Sequence, residues 1–70
     1  MVKRYKFFIN GQGYLIDTTV TITQVLKYFN YGKTFLVLEK NGSICLKENW
    51  DSTSVNSMDK IEIITIMGGG

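Results

Sequence analysis

The residues best equipped for chemistry stand at the end of the chain, where Met67-Gly68-Gly69-Gly70 follows directly on the apolar run Ile61-Glu62-Ile63-Ile64-Thr65-Ile66. Glycine has no Cβ, so three in a row can thread a channel too narrow for any other residue. Extended, they reach roughly 10 Å past a strand end, enough to enter another protein's active site. The Gly70 carboxyl is an ordinary α-carboxyl and is ionised at pH 7. A carboxylate is a poor electrophile, so acyl chemistry there requires prior activation. The competing reading is an inert, frayed chain end, since termini are often poorly ordered.

The rest of the composition removes most other chemistry. The chain has no histidine, and so lacks the usual general base near neutral pH and the commonest metal ligand. Its single cysteine, Cys45, has no disulfide partner and no companion ligands for a metal. A sulfur-handling role for Cys45 is disfavoured, because it falls in a strand pattern with no histidine to lower its pKa. Eight basic and six acidic residues leave a net charge of +2, too weak and too dispersed to indicate nucleic acid. Lys3, Arg4 and Lys6 fit a solvated strand face. No apolar run approaches the roughly 20 residues that span a membrane. The opening Met1-Val2-Lys3-Arg4-Tyr5 leads straight into a strand pattern, so no signal or transit peptide is read. Alanine and proline are absent, and Ile, Lys, Asn, Phe and Tyr are abundant. That bias fits an A+T-rich genome, bacterial or organellar.

Seventy residues make one small domain, able to bury roughly 60% of its unfolded surface. The expected division is a domain over 1–67 and a flexible glycine tail over 68–70. Tyr5 to Ile9 is short, apolar and aromatic, as strands are. Asn10-Gly11 is a turn, extended by Gln12-Gly13, and Tyr14 to Asp17 returns. Gly11-Gln12-Gly13 is followed by a strand rather than a helix, so it reads as a hairpin turn and not a phosphate loop. Thr21-Ile22-Thr23-Gln24 fits a capping box. Ile22, Val25, Leu26 and Phe29 then form one helical stripe, and Gly32 is placed to end the helix near Tyr31. Phe35 to Lys40 is a strand, Asn41-Gly42 a hairpin turn, and Ser43 to Leu46 the return. Lys47 to Met58 reads as a loop with a short helical turn, in which Trp50 and Val55 plug the core. Lys60 to Met67 is the last strand.

One helix must cover one face of this sheet. The economical arrangement sets the last strand at the centre, parallel to the first, with Phe7, Ile9, Ile16, Leu36, Leu38, Ile44, Ile61 and Ile63 facing the helix. That is an α+β, ubiquitin-like β-grasp fold: a mixed sheet of about five strands with one main helix on one face. If Ile61 and Ile63 point inward, strand alternation sends Ile64 and Ile66 to the other face. Phe8 and Val37 join them from neighbouring strands. An apolar cluster beside the tail suggests a docking face; scattered surface hydrophobics are the alternative.

With this arrangement and this ending the chain resembles the ThiS sulfur-carrier proteins of thiamin biosynthesis, within the wider ThiS/MoaD group of ubiquitin-like proteins. The resemblance covers almost the whole length. It rests on Phe8-Ile9-Asn10-Gly11, on Thr21-Ile22-Thr23-Gln24-Val25-Leu26, and on Leu38-Glu39-Lys40-Asn41-Gly42-Ser43-Ile44 with Trp50 eight residues after Gly42. It is most specific over Asp59-Lys60-Ile61-Glu62-Ile63-Ile64-Thr65-Ile66-Met67-Gly68-Gly69-Gly70. Two departures are local: Ser57-Met58-Asp59 replaces an Asp-Gly-Asp-like turn, and Leu46 stands where proline is frequent.

The resemblance implies a carrier, not an enzyme, with no bound cofactor and no metal. An adenylyltransferase related to ubiquitin-activating enzymes would use ATP and magnesium to adenylate Gly70. A persulfide donor would then convert it to a thiocarboxylate, from which thiazole synthase would draw sulfur for the thiazole ring. Gly70 would carry the sulfur, Gly68 and Gly69 would let the tail thread partner active sites, and the folded body, a monomer, would be recognised in the cytoplasm or the plastid stroma. Three other readings stay open: a molybdopterin-type sulfur carrier, a ubiquitin-like modifier forming isopeptide bonds, and a β-grasp binding module whose glycines have no role.

Overall fold

A computed structural model describes residues 3–31 and 35–66. The expected helix end at Gly32 and the tail Gly68, Gly69 and Gly70 lie outside the described residues. The elements run β1 (Tyr5–Ile9), β2 (Gln12–Ile16), α1 (Ile22–Tyr28), β3 (Leu36–Lys40), β4 (Ser43–Ile44), a 3₁₀ turn (Lys47–Asn49) and β5 (Lys60–Thr65). The five strands form one sheet in the order β2-β1-β5-β3-β4. β1 and β5 are parallel and the other three pairs antiparallel. This is the β-grasp arrangement expected, with the last strand at the centre.

Both hairpins are built by Asn-Gly. Asn10 and Gly11 have φ of 49° and 84°, and Asn41 and Gly42 have φ of 54° and 85°. Two successive positive φ values define the turn whose twist matches that of paired strands, and Asn-Gly is the pair that tolerates it best. The first turn is therefore two residues long, and Gln12 and Gly13 already belong to β2, opposite Ile9 and Phe8.

Helix α1 begins with the capping box. The Gln24 amide N–H donates to Thr21 Oγ1 at 3.2 Å, and the Thr21 N–H donates to Gln24 Oε1 at 2.8 Å. The helix is shorter than its apolar stripe predicts. Its regular part stops at Tyr28, and Asn30, with φ of 64°, takes the left-handed position. The Tyr31 N–H donates to Leu26 O at 2.8 Å and the Asn30 N–H to Lys27 O at 3.1 Å. These two bonds satisfy the last carbonyls in the Schellman pattern, with asparagine in the place usually given to glycine. No helix among the described residues is long and apolar enough to cross a membrane.

The helix buries Ile22, Val25 and Leu26 against Phe7, Ile9, Leu38, Ile61 and Ile63 of the sheet. Ile16 and Leu36 are half-buried at the rim of that core. Ile44 departs from expectation: it lies on the opposite face and is 65% exposed. The reason is register. β4 pairs with β3 through Ile44 opposite Glu39, and directly opposed residues share a face, so Ile44 follows Glu39 away from the helix. The loop after β4 closes the open end of the core. Val55 is buried, and Trp50 is packed against the cluster with its Nε1–H donating to Cys45 O at 2.9 Å.

Candidate functional site: the open sheet face and the end of the last strand

Alternation along β5 separates two sets of side chains. Ile61 and Ile63 are buried, whereas Glu62, Ile64 and Ile66 are exposed on the face without a helix. β3 pairs with β5 so that Val37 stands directly opposite Ile64. The ladder continues beyond the strand: the Ile66 N–H donates to Phe35 O at 2.8 Å. Phe35, 81% exposed, therefore joins Val37, Ile64 and Ile66 in one apolar patch at the end of β5 from which the tail departs. Its spacing of two from Val37 is the signal that could have placed it there. β4 is only two residues long, so the outer flank of β3 is left as a groove bounded by Val37, Ile44, Leu46 and Trp50.

The four expected docking residues are not all together. Ile64, Ile66 and Val37 are adjacent. Phe8 is on the same face, but its partner on β5 is Lys60, four residues before Ile64 and so roughly 13 Å back along the strand. Phe8 is also half-covered, with Lys6 Nζ 5.3 Å from its ring centroid. Gly13, opposite Phe8, leaves room for this pair: a Cβ there would stand 2.6 Å from Lys6 Cε and 3.4 Å from the Phe8 ring. Beside the apolar patch, Glu39 and Glu62 are directly opposed. Like charges in that position repel, so this part of the face carries a local negative potential.

At the start of β5 sits Asp59, a buried carboxylate. Its Oδ1 accepts from Asn41 Nδ2 at 2.9 Å, its Oδ2 accepts the Asn56 N–H at 2.7 Å, and Lys40 Nζ lies 3.4 Å from Oδ2. Burial pushes the carboxyl up, but these hydrogen bonds and the Lys40 charge prevail and hold it below the ordinary carboxylate range. With φ of 67° at Met58, whose N–H donates to Lys6 O at 2.6 Å, the Ser57-Met58-Asp59 turn delivers the chain into β5 without a glycine. Cys45 is half-buried with Sγ 3.8 Å from Thr53 Oγ1 and lies at the β4 edge of the sheet. No cluster of three metal-ligating side chains occurs among the described residues.

The central strand thus divides its apolar residues between core and open face and leads to a glycine-rich end. The profile of the ThiS family matches residues 7–70, which includes the glycines. The chain belongs to the ThiS family. Among solved structures, this ThiS-family chain is similar to the crystal structure of the thiamine biosynthesis protein ThiS from Geobacter metallireducens, with a TM-score of 0.78 and 26% identity over 93% of this chain and 99% of that one. The solution structure of a thiamine biosynthesis protein from the same organism gives a TM-score of 0.75 at 26% identity, over 93% and 87% of the two chains. Among curated relatives, the uncharacterised protein ycf40 of Trieres chinensis is 48% identical over 91% of this chain and 88% of its own length. The ycf40 protein of Porphyra purpurea is 31% identical over 97% and 96%.

Proposed function

We propose that this chain is a sulfur carrier for the thiazole ring of thiamin, with Gly70 as the group that is activated and loaded. The observation that carries the reading is the continuity from β5, held on both flanks at the centre of the sheet, into Gly68-Gly69-Gly70, within a ThiS-family match that extends over those glycines. The Gly70 carboxylate attacks the α-phosphorus of ATP, held with magnesium by an adenylyltransferase, and pyrophosphate leaves. A persulfide's terminal sulfur then displaces AMP from the acyl carbon. A thiol cleaves the resulting sulfur–sulfur bond, leaving a thiocarboxylate on Gly70 and a disulfide on the donor. Thiazole synthase is the acceptor of that sulfur. The chain supplies no catalytic group: Gly68 and Gly69 allow threading, and Ile64, Ile66 and Val37 form the docking patch, with Phe8 at its far margin.

The thiamine biosynthesis proteins among the solved neighbours support thiazole over molybdopterin as the destination. The ycf40 relatives, plastid-encoded, support the plastid stroma over the cytoplasm as the setting. The carrier acts as a monomer.

The test is reconstitution. The chain is incubated with a matching adenylyltransferase, ATP, magnesium and a persulfide donor, and is followed by intact-protein mass spectrometry. One oxygen should be replaced by one sulfur, located at Gly70 by fragmentation, and Cys45→Ser should react equally well. Sulfur found on Cys45, or a chain that its cognate enzyme never adenylates, overturns the mechanism. Removing Gly69 and Gly70 should abolish loading while leaving the melting midpoint in place; a large drop in the midpoint would make the glycines structural.

A further inference from the structure

Asn10 has a task beyond its turn. With φ of 49° it begins the tight reversal that carries the chain away from β5. The last register partner of β1 is Ile9, opposite Ile61, yet β5 continues to Thr65. The Asn10 N–H donates to Ile61 O at 2.9 Å. One rung further along, the Ile63 N–H donates to Asn10 Oδ1 at 2.8 Å. A side-chain oxygen thus stands where the carbonyl of a longer β1 would stand, and β5 is held on its β1 flank two residues beyond the end of backbone pairing.

The second Asn-Gly turn grips the other end of the same strand from the other flank. Asn41 Oδ1 accepts the Lys60 N–H at 2.8 Å, while its Nδ2 donates to Asp59. Both turn asparagines therefore clamp β5, Asn41 where the strand begins and Asn10 toward the end from which the tail leaves.

We propose that Asn10 is a positioning residue for the sulfur-carrying tail, a role that rests on the carrier reading above. With its side chain in place, the last position of β5 held on both flanks is Ile63, seven positions before Gly70; without it that position is Ile61, nine before, and Glu62 and Ile63 are held by β3 alone. Strand residues held on one flank alone have more freedom to lose when the tail seats in a partner, and that loss weakens binding. The reactive carboxyl is unchanged once seated, so the effect falls on binding and not on the chemical step.

The experiment compares Asn10→Gly, which keeps the positive φ at no steric cost but removes the acceptor, with Asn10→Asp, which keeps an oxygen at the same branch. In the full chain, the Ile63 amide should exchange with solvent about tenfold faster relative to the Val55 amide, which is bonded to Val20 O, in Asn10→Gly, and at the wild-type ratio in Asn10→Asp. In adenylation by the matching enzyme at saturating ATP, Asn10→Gly should raise KM for the carrier severalfold with kcat unchanged, and Asn10→Asp should restore it. Asn41→Gly should lower the melting midpoint and leave that KM alone. An unaltered Ile63 exchange ratio in Asn10→Gly overturns the clamp. Faster exchange with unchanged KM, or a loss in kcat instead, overturns the positioning role while the carrier reading stands. A wild-type chain that is never adenylated overturns the carrier reading and this proposal with it.

Discussion

Asp59 is a buried carboxylate inside a net of donors, and it makes the start of β5 sensitive to acid. Because its folded-state pKa lies below the unfolded value of about 3.9, the ionised form adds stability at every pH above that value. The contribution is lost as the pH falls through the folded-state pKa. Replacing Asp59 with Asn should lower the melting midpoint at pH 7 and flatten its decline below about pH 4. Melting curves across that range check it; parallel pH profiles for the two proteins would place the acid sensitivity elsewhere. The sequence shows Asp59 as one more acidic residue in a turn. Only the fold brings Asn41, Asn56 and Lys40 around it.

At the scale of elements, α1 has seven residues in its regular part, too few to be stable alone. It persists because its ends are satisfied and one face is buried. Thr21 closes the capping box and also forms a bridge with Ser54, tying the helix start to the loop beneath the core. Thr21→Ala should cost about 1 kcal/mol, or roughly 4–8 °C in the melting midpoint of a domain this small. Thermal unfolding followed by circular dichroism measures this; no shift would mean that the loop contacts, not the cap, hold the helix start. The cap was legible from Thr21 and Gln24, whereas the helix end was not. Gly32 looks like the natural terminator, but Asn30 reaches the left-handed conformation first, and the Leu26 and Lys27 carbonyls are satisfied there.

For the whole molecule, the division of β5 between two faces joins stability to recognition. Ile64 is 51% exposed, so Ile64→Asp should cost only about 1 kcal/mol of folding stability, not enough to unfold the domain. The same change sets a charge in the middle of the patch formed with Val37 and Ile66, and adds to the Glu39–Glu62 repulsion nearby. Binding to the adenylyltransferase should weaken about tenfold or more. Titration calorimetry on the folded variant separates the two effects. Unchanged affinity would remove this patch from the docking surface, and unfolding would mean that the residue is structural.

Local rules were enough to establish a good deal. Two Asn-Gly pairs required two tight hairpins, a capping box and an i, i+3, i+4, i+7 stripe required one helix, and alternation along Ile61 to Ile66 assigned each side chain to a face. Strand count, helix start and the outward placement of Ile64 and Ile66 all follow from such short-range periodicities. Tertiary structure decided what depends on register between distant strands. Ile44 is not of that kind, because the two-residue Asn41-Gly42 turn by itself sets it opposite Glu39 and so turns it outward. Phe8 shares a face with Ile64, yet the offset of a parallel pair sets the two about four residues apart. The asparagines of the two turns look alike in sequence. Only the central position of β5, fifty-three residues from Asn10 at Ile63, makes both of them clamps on the strand that carries the tail.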